Sequence, residues 1–136
     1  MSFISSEHII RDILGPIRPD TRPLSYSIDI VIDMLFVQNT SIDNIRITKD
    51  VYPLVARKLR KSTNAVSRSA ERLANRIWGT LDADQVLKYI GRPLYDISSP
   101  CDIIFYLAYY TYHGKPYYKV YEERLQSKGT KSTYYL

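Results

Sequence analysis

A short segment in the middle of the chain carries side chains of the kinds that recognise DNA bases. Arginine can donate two hydrogen bonds to O6 and N7 of guanine, and asparagine can pair with the N6 and N7 edge of adenine. A carboxylate can accept from the N4 amino group of cytosine or hold a neighbouring arginine across one helical turn. The candidate base-contacting residues are Asn64, Ser67, Arg68, Glu71 and Arg72.

These side chains need a helix to carry them, and the apolar residues of the same segment predict one. At about 100° per residue, four apolar residues fall within one narrow stripe. They are Val66, Ala70, Leu73 and Ile77. This spacing predicts a helix over 64–77 that packs its apolar back on the core and presents its polar front. The N-terminal half of such a recognition helix is the part that reaches the bases.

The polar turn before this helix, together with its flanks, predicts contacts to phosphates. Ser62 or Thr63 is the expected N-cap, and the free N–H groups at a helix N-terminus attract phosphate. Cations and hydroxyls at the edges of the motif would fix its register on the DNA backbone without reading sequence. The candidate phosphate-binding residues are Lys49, Lys58, Arg60, Lys61, Ser62, Thr63 and Arg76.

The net positive charge of the chain comes from this region. The segment 46–76 holds nine basic and two acidic residues, a net charge of +7, whereas the whole 136-residue chain carries +5. The remainder of the chain is therefore weakly acidic, with a net charge of −2. Such a concentration of charge favours a polyanion as the partner, although a charge run alone is equally typical of a solvated helical face.

A second helix has to precede the recognition helix to form a helix-turn-helix motif, predicted here over 48–78. Thr48 is its candidate N-cap, and the helix is expected to carry the apolar side chains of Val51, Leu54, Val55 and Leu59. Pro53 would be costly deep inside a helix, so we expect it in the first turn.

The rest of the chain predicts further helices and no strand. Ser6, Asp82 and Ser99 are expected N-caps of the first, fifth and sixth helices, and Pro100 suits the first position of the sixth. We therefore predict an all-α fold: a six-helix domain over 1–112 and a tyrosine-rich C-terminal tail over 113–136. A short extra helix is expected in that tail near 120–126.

Other kinds of site find little support in the sequence. His8, His113 and Cys101 do not have the spacing of metal ligands, no glycine loop suits a nucleotide, and Asp29 and Asp33 fit a solvated face better than acid–base chemistry. We expect no metal, no cofactor and no enzymatic activity. With one cysteine, no signal peptide and no apolar run near the ~20 residues of a membrane span, we expect a soluble cytoplasmic protein.

The segment 47–78 resembles the C-terminal effector domain of the sporulation stage-zero regulator A family. The resemblance rests on Ile47-Thr48-Lys49, Tyr52-Pro53, Val66, Arg68 and Trp78, without a gap. It extends more weakly to the first helix and to the last two, over about residues 8–112. It implies a six-helix DNA-binding domain of a bacterial transcription regulator, tandem or dimeric binding at repeated sites, and a base contact by Arg68. We expect no receiver domain in this chain.

Three departures from the family pattern lie on the recognition helix. Ser67 stands where the family has glutamate, Glu71 where it has arginine, and Arg72 where it has histidine. The first hypothesis is therefore a duplex DNA-binding transcription regulator with its own preferred sequence. The alternative is an interaction module that pairs with a related full-length regulator and binds no DNA. A third hypothesis, a non-specific architectural binder, lacks only the sequence preference.

Overall fold

The structure, a computed structural model, describes residues 5–127, which form seven α-helices and no strand. The all-α prediction is confirmed, including the extra helix near the C-terminus. A short π-helical turn extends α2 over Asp33–Val37, and a 3-10 turn follows at Ile42–Asn44. The α-helices are α1 (Ser6–Leu14), α2 (Arg22–Ile32), α3 (Tyr52–Leu59), α4 (Thr63–Thr80), α5 (Ala83–Tyr89), α6 (Pro100–His113) and α7 (Tyr117–Ser127).

Helix α2 lies at the centre of the fold and packs against α1, α3, α4 and α6. Its side chains at Leu24, Ile28 and Val31 have no exposed surface. Since an α-helix needs only a stripe of apolar residues to face one neighbour, the wide apolar surface of α2 indicates burial from several sides. Helices α3 and α4 thus both pack on α2, within one core.

Most helix starts follow from their capping residues. Asp82 forms a capping box with Gln85, and Ser99 accepts a hydrogen bond from the N–H of Cys101, with Pro100 at the first position of α6. The first helix differs from its prediction, because its N-cap is Ser5 and not Ser6. Ser6 is buried instead, and its hydroxyl donates to Asp29 of α2 at 2.7 Å.

The entry to α3 also differs from its prediction. Residues Ile47–Val51 form a π-helical turn, and Thr48 is exposed without capping it. Ile47 and Val51 are buried on this turn and anchor it to the core. Pro53 lies in the first turn of α3, as predicted, where its missing N–H costs no helical hydrogen bond.

The described part of the tyrosine-rich segment packs on the domain. Helix α6 runs one residue beyond the expected boundary and ends at Gly114, whose φ of 70° is left-handed. Helix α7 returns along α6 and buries Val120 in the core. The N–H of Tyr118 donates to the carbonyl of Ile90 at 3.2 Å. The packed structure therefore continues past 112 to at least residue 126. Among the described helices, none is both long enough and apolar enough to cross a membrane.

Candidate nucleic-acid interface

Helices α3 and α4 are joined by a tight turn over residues 60–62. Arg60 adopts the left-handed conformation, with φ 57° and ψ 46°, and this reversal lets the N–H of Lys61 close α3 on the carbonyl of Ala56 at 3.0 Å. A non-glycine residue in this conformation is uncommon, so the surrounding contacts must hold it there. The turn places two adjacent cations between the two helices.

The start of α4 is fixed by Ser62, one of the two predicted caps. Its hydroxyl accepts from the N–H of Ala65 at 3.1 Å. Thr63 is the first residue of α4 and is exposed, as is Asn64. The N-terminus of an 18-residue helix thus opens onto solvent beside Arg60 and Lys61, and its dipole adds partial positive charge there.

Helix α4 separates an apolar back from a polar front. The back is the predicted stripe plus Ala74, all buried. The front consists of exposed side chains at intervals of three or four residues, and within the described chain it carries no acidic group. The front residues are Asn64, Arg68, Arg72, Asn75 and Arg76.

Glu71 does not lie on this front, contrary to its prediction as a base-contacting residue. Its carboxylate accepts a hydrogen bond from the buried hydroxyl of Tyr52 on α3 at 3.1 Å. The thiol of Cys101, at the start of α6, lies 3.9 Å from the same oxygen, and the hydroxyl of Ser67 lies 3.4 Å from it. Glu71 and Ser67 therefore face the seam between α3, α4 and α6.

Burial keeps the Tyr52 hydroxyl and the Cys101 thiol of this seam protonated. Burial raises the pKa of the Tyr52 hydroxyl, and the neighbouring Cys101 and Glu71 raise it further, so the hydroxyl stays a hydrogen-bond donor. Burial likewise raises the pKa of the Cys101 thiol. A protonated thiol is a poor nucleophile, so Cys101 packs in this seam rather than reacts.

The predicted phosphate-binding residues are not all in one place. Lys58 extends its ammonium group over the ring of Tyr26, 4.9 Å from the centroid. Lys49 lies on the turn before α3 and, together with Leu54 and Arg57, lines a separate surface depression. The α3–α4 turn and the front of α4 therefore form one continuous basic surface, and Lys49 borders another part of the molecule.

Two residues that contact this surface or its supporting seam were not singled out from the sequence. Tyr52 entered only as part of a resemblance, although the hydroxyl of a buried tyrosine usually finds a hydrogen-bond partner. Asp20 could not be predicted as a partner of Lys61, because 41 positions separate the two residues in the sequence. In the structure the Asp20 carboxylate lies 3.7 Å from the Lys61 ammonium group. In the described part of the chain no group of three or more His, Cys, Asp or Glu side chains is arranged to hold a metal ion.

Comparisons of the chain with protein-family models, with curated proteins and with solved structures find no significant match. The resemblance to the sporulation regulator family therefore stays a prediction from the sequence. The function has to be inferred from the geometry of α3 and α4.

Proposed function

We propose that this protein binds double-stranded DNA and regulates transcription, with α4 as a recognition helix in the major groove. The observation that carries the proposal is the front of α4, where asparagine and arginine side chains form an exposed row. Because Glu71 is turned toward Tyr52, that row carries no carboxylate that would repel phosphates. The protein acts as a binding protein and not as an enzyme.

The dimensions of α4 fit this role. From Asn64 to Arg72 the helix rises by about 12 Å, at 1.5 Å per residue, which is about the width of the major groove. Arg68 lies midway between them and is the best placed to reach guanine. Asn64 is at the end of the helix that enters the groove first in helix-turn-helix proteins.

The turn before α4 supplies affinity. Arg60, Lys61, Ser62 and Thr63 surround the exposed N-terminus of α4, where backbone N–H groups and cations together suit a phosphate. Such contacts position a protein on the duplex, and base contacts then select the sequence. The resemblance to the sporulation regulator family supports the same function, in the cytoplasm and with tandem or dimeric binding.

The alternative of an interaction module depended on Glu71, and on Ser67 in place of the family's glutamate, as signs that base contacts are lost. With Glu71 hydrogen-bonded to Tyr52, the front of α4 has not lost its capacity to bind a polyanion. Pairing with a related regulator remains an outcome that the following experiment can detect.

The test is selection from random duplex DNA, followed by sequencing and affinity measurement on the enriched site. We expect an enriched motif, and Arg68→Ala should cost about 1–3 kcal/mol on that motif and much less on random duplex. Arg11→Ala, at an exposed arginine paired with Glu7 on α1, is the matched control.

Three results would redirect the proposal. Uniform recovery of sequences would indicate a non-specific architectural binder. Recovery of no DNA would favour the interaction module. Equal losses on the motif and on random duplex would assign Arg68 to the DNA backbone and not to a base.

A further inference from the structure

The loop before α2 reaches the helix-turn-helix turn through one carboxylate. Asp20 accepts hydrogen bonds from the guanidinium of Arg22, Nε to Oδ1 at 2.9 Å and Nη2 to Oδ2 at 2.8 Å. The same Oδ2 lies 3.7 Å from Nζ of Lys61, in the α3–α4 turn. One carboxylate thus bridges two cations from distant parts of the sequence.

A second contact holds the start of α2 beside the end of α3. Tyr26 lies one turn after Arg22 on α2, and its ring receives the ammonium group of Lys58. Arg22, Lys58 and Lys61 therefore lie along one edge of the helix-turn-helix motif. This edge continues the basic surface formed by the front of α4 and its N-terminal turn.

The Asp20 bridge is charged but weakly held. Hydrogen bonding to Arg22 is the main cause that lowers the pKa of Asp20 to about 2, so the carboxylate is ionised at neutral pH. The side chains of Arg22 and Lys61 are 54% and 42% exposed, and exposed ion pairs contribute little to folding. The carboxylate also accepts from the backbone N–H of Arg22 at 3.0 Å, and none of these contacts reaches the core, so another anion can replace it at the two cations without disturbing the core.

We propose that Arg22 and Lys61 form a phosphate site for the DNA backbone beside the helix-turn-helix turn, and that Asp20 occupies this site in the free protein. The proposal rests on the proposed function and extends it to a residue of α2. A guanidinium presents the same pair of parallel N–H donors to a phosphate as to a carboxylate, and Lys61 adds a point charge. On DNA, a backbone phosphate takes the position of the Asp20 carboxylate.

The decisive variant is Asp20→Asn, which keeps the size of the side chain and removes its charge. It should strengthen duplex binding about two- to fivefold at low salt, the equivalent of releasing one exposed ion pair. Because the wild type already places a backbone phosphate in this site, the slope of the plot of log K against log salt should stay unchanged. The gain should therefore appear as a parallel upward shift of that plot.

Glu123→Gln is the matched control for Asp20→Asn. Glu123 is also an exposed carboxylate in an ion pair, with Lys115 at 3.0 Å, but it lies on α7. Both variants raise the net charge of the protein by one, so any general electrostatic gain appears in both. The gain of Asp20→Asn should exceed that of Glu123→Gln by about two- to fivefold.

Arg22→Gln tests the same site in the opposite direction. It should weaken binding and reduce the magnitude of the salt slope by about 0.9, whereas Lys115→Gln should leave the slope unchanged. Thermal melting of each variant verifies that it folds. If Asp20→Asn proves unstable, the salt dependence of DNA binding by Arg22→Gln tests the phosphate site by itself.

The outcomes separate the two proposals. If the wild type binds duplex DNA and Asp20→Asn behaves like Glu123→Gln, the phosphate site beside the turn is refuted and the recognition helix is unaffected. If the slope of Arg22→Gln equals that of the wild type, the site is refuted again. If the wild type binds no duplex at any salt concentration, the proposed function fails and the site fails with it.

Discussion

Tyr52→Phe removes one hydroxyl oxygen from the seam between α3 and α4 and leaves the ring in place. The Tyr52 side chain is fully buried, and its hydroxyl donates to the carboxylate of Glu71 at 3.1 Å. Without that donor, Glu71 keeps only the longer approaches of Ser67 at 3.4 Å and Cys101 at 3.9 Å. The variant therefore leaves a charged, half-buried acceptor without its main partner.

The expected cost follows from this geometry. A hydrogen bond to a charged group contributes about 1.5–3 kcal/mol, and the lower end applies because water can reach part of Glu71. The phenyl ring fills the same space, so no cavity term is added. We expect the free energy of unfolding to fall by about 1.5 kcal/mol, and Tm to fall by about 5 °C for a chain of this size.

Urea titration of Tyr52→Phe, Glu71→Ala and the double variant measures this coupling directly. The interaction free energy of the double-mutant cycle should be about 1 kcal/mol. Tyr95→Phe, at a fully exposed ring, is the control and should change stability by less than about 0.5 kcal/mol. A coupling near zero would mean that Glu71 faces solvent, as the sequence alone predicts, and the assignment of the seam would be wrong.

Three further outcomes can be measured on the same material. Arg60→Gly should raise the free energy of unfolding by about 0.5–1 kcal/mol, because it relieves the left-handed backbone at φ 57°, and a fall in stability would contradict this. The same variant should weaken DNA binding, because it removes one cation from the α3–α4 turn. Ser62→Ala should cost about 1 kcal/mol through loss of the N-cap, whereas Ser62→Gly should cost only a few tenths, and equal costs would count against capping. Burial is the main cause that lowers the pKa of His113 from 6.5, so the unfolded chain binds the proton more readily than the folded one. Urea titrations should therefore show the free energy of unfolding falling as pH drops below about 6.5, and His113→Asn should flatten this fall whereas His8→Asn should not. A rise in stability toward acid would contradict this.

Local chemistry accounts for the parts of the fold that the sequence predicted well. Asp82, Ser99 and Pro100 act within their own helical turn, so their roles depend on no distant residue. The same holds for Pro53, whose ring excludes all but the first turn of α3. The buried back of α4 was also predictable, because a period of 3.6 residues gives its direction without knowledge of the partner helices.

The errors arise where two distant segments meet. The periodicity of α4 places Glu71 on a polar flank, but only the packing of α3 and α6 brings Tyr52 and Cys101 to that flank. The cap at Ser6 failed for a similar reason, since its hydroxyl finds Asp29 on another helix. Neither contact has a sequence signature, because nothing local to one residue reports the identity of a neighbour 19 or more positions away.

The return of α7 along α6 has a consequence for synthesis of the chain. Val120 completes the core, and Gly91, with φ 97°, fits so closely under Pro116 that an added Cβ would lie 3.1 Å from its ring. A nascent chain that has emerged only through His113 therefore leaves the aromatic side of α6 uncovered. On the ribosome α3 and α4 can pair early, but the fold closes only after residue 120 has left the exit tunnel. Until then the uncovered tyrosines favour association with other nascent chains.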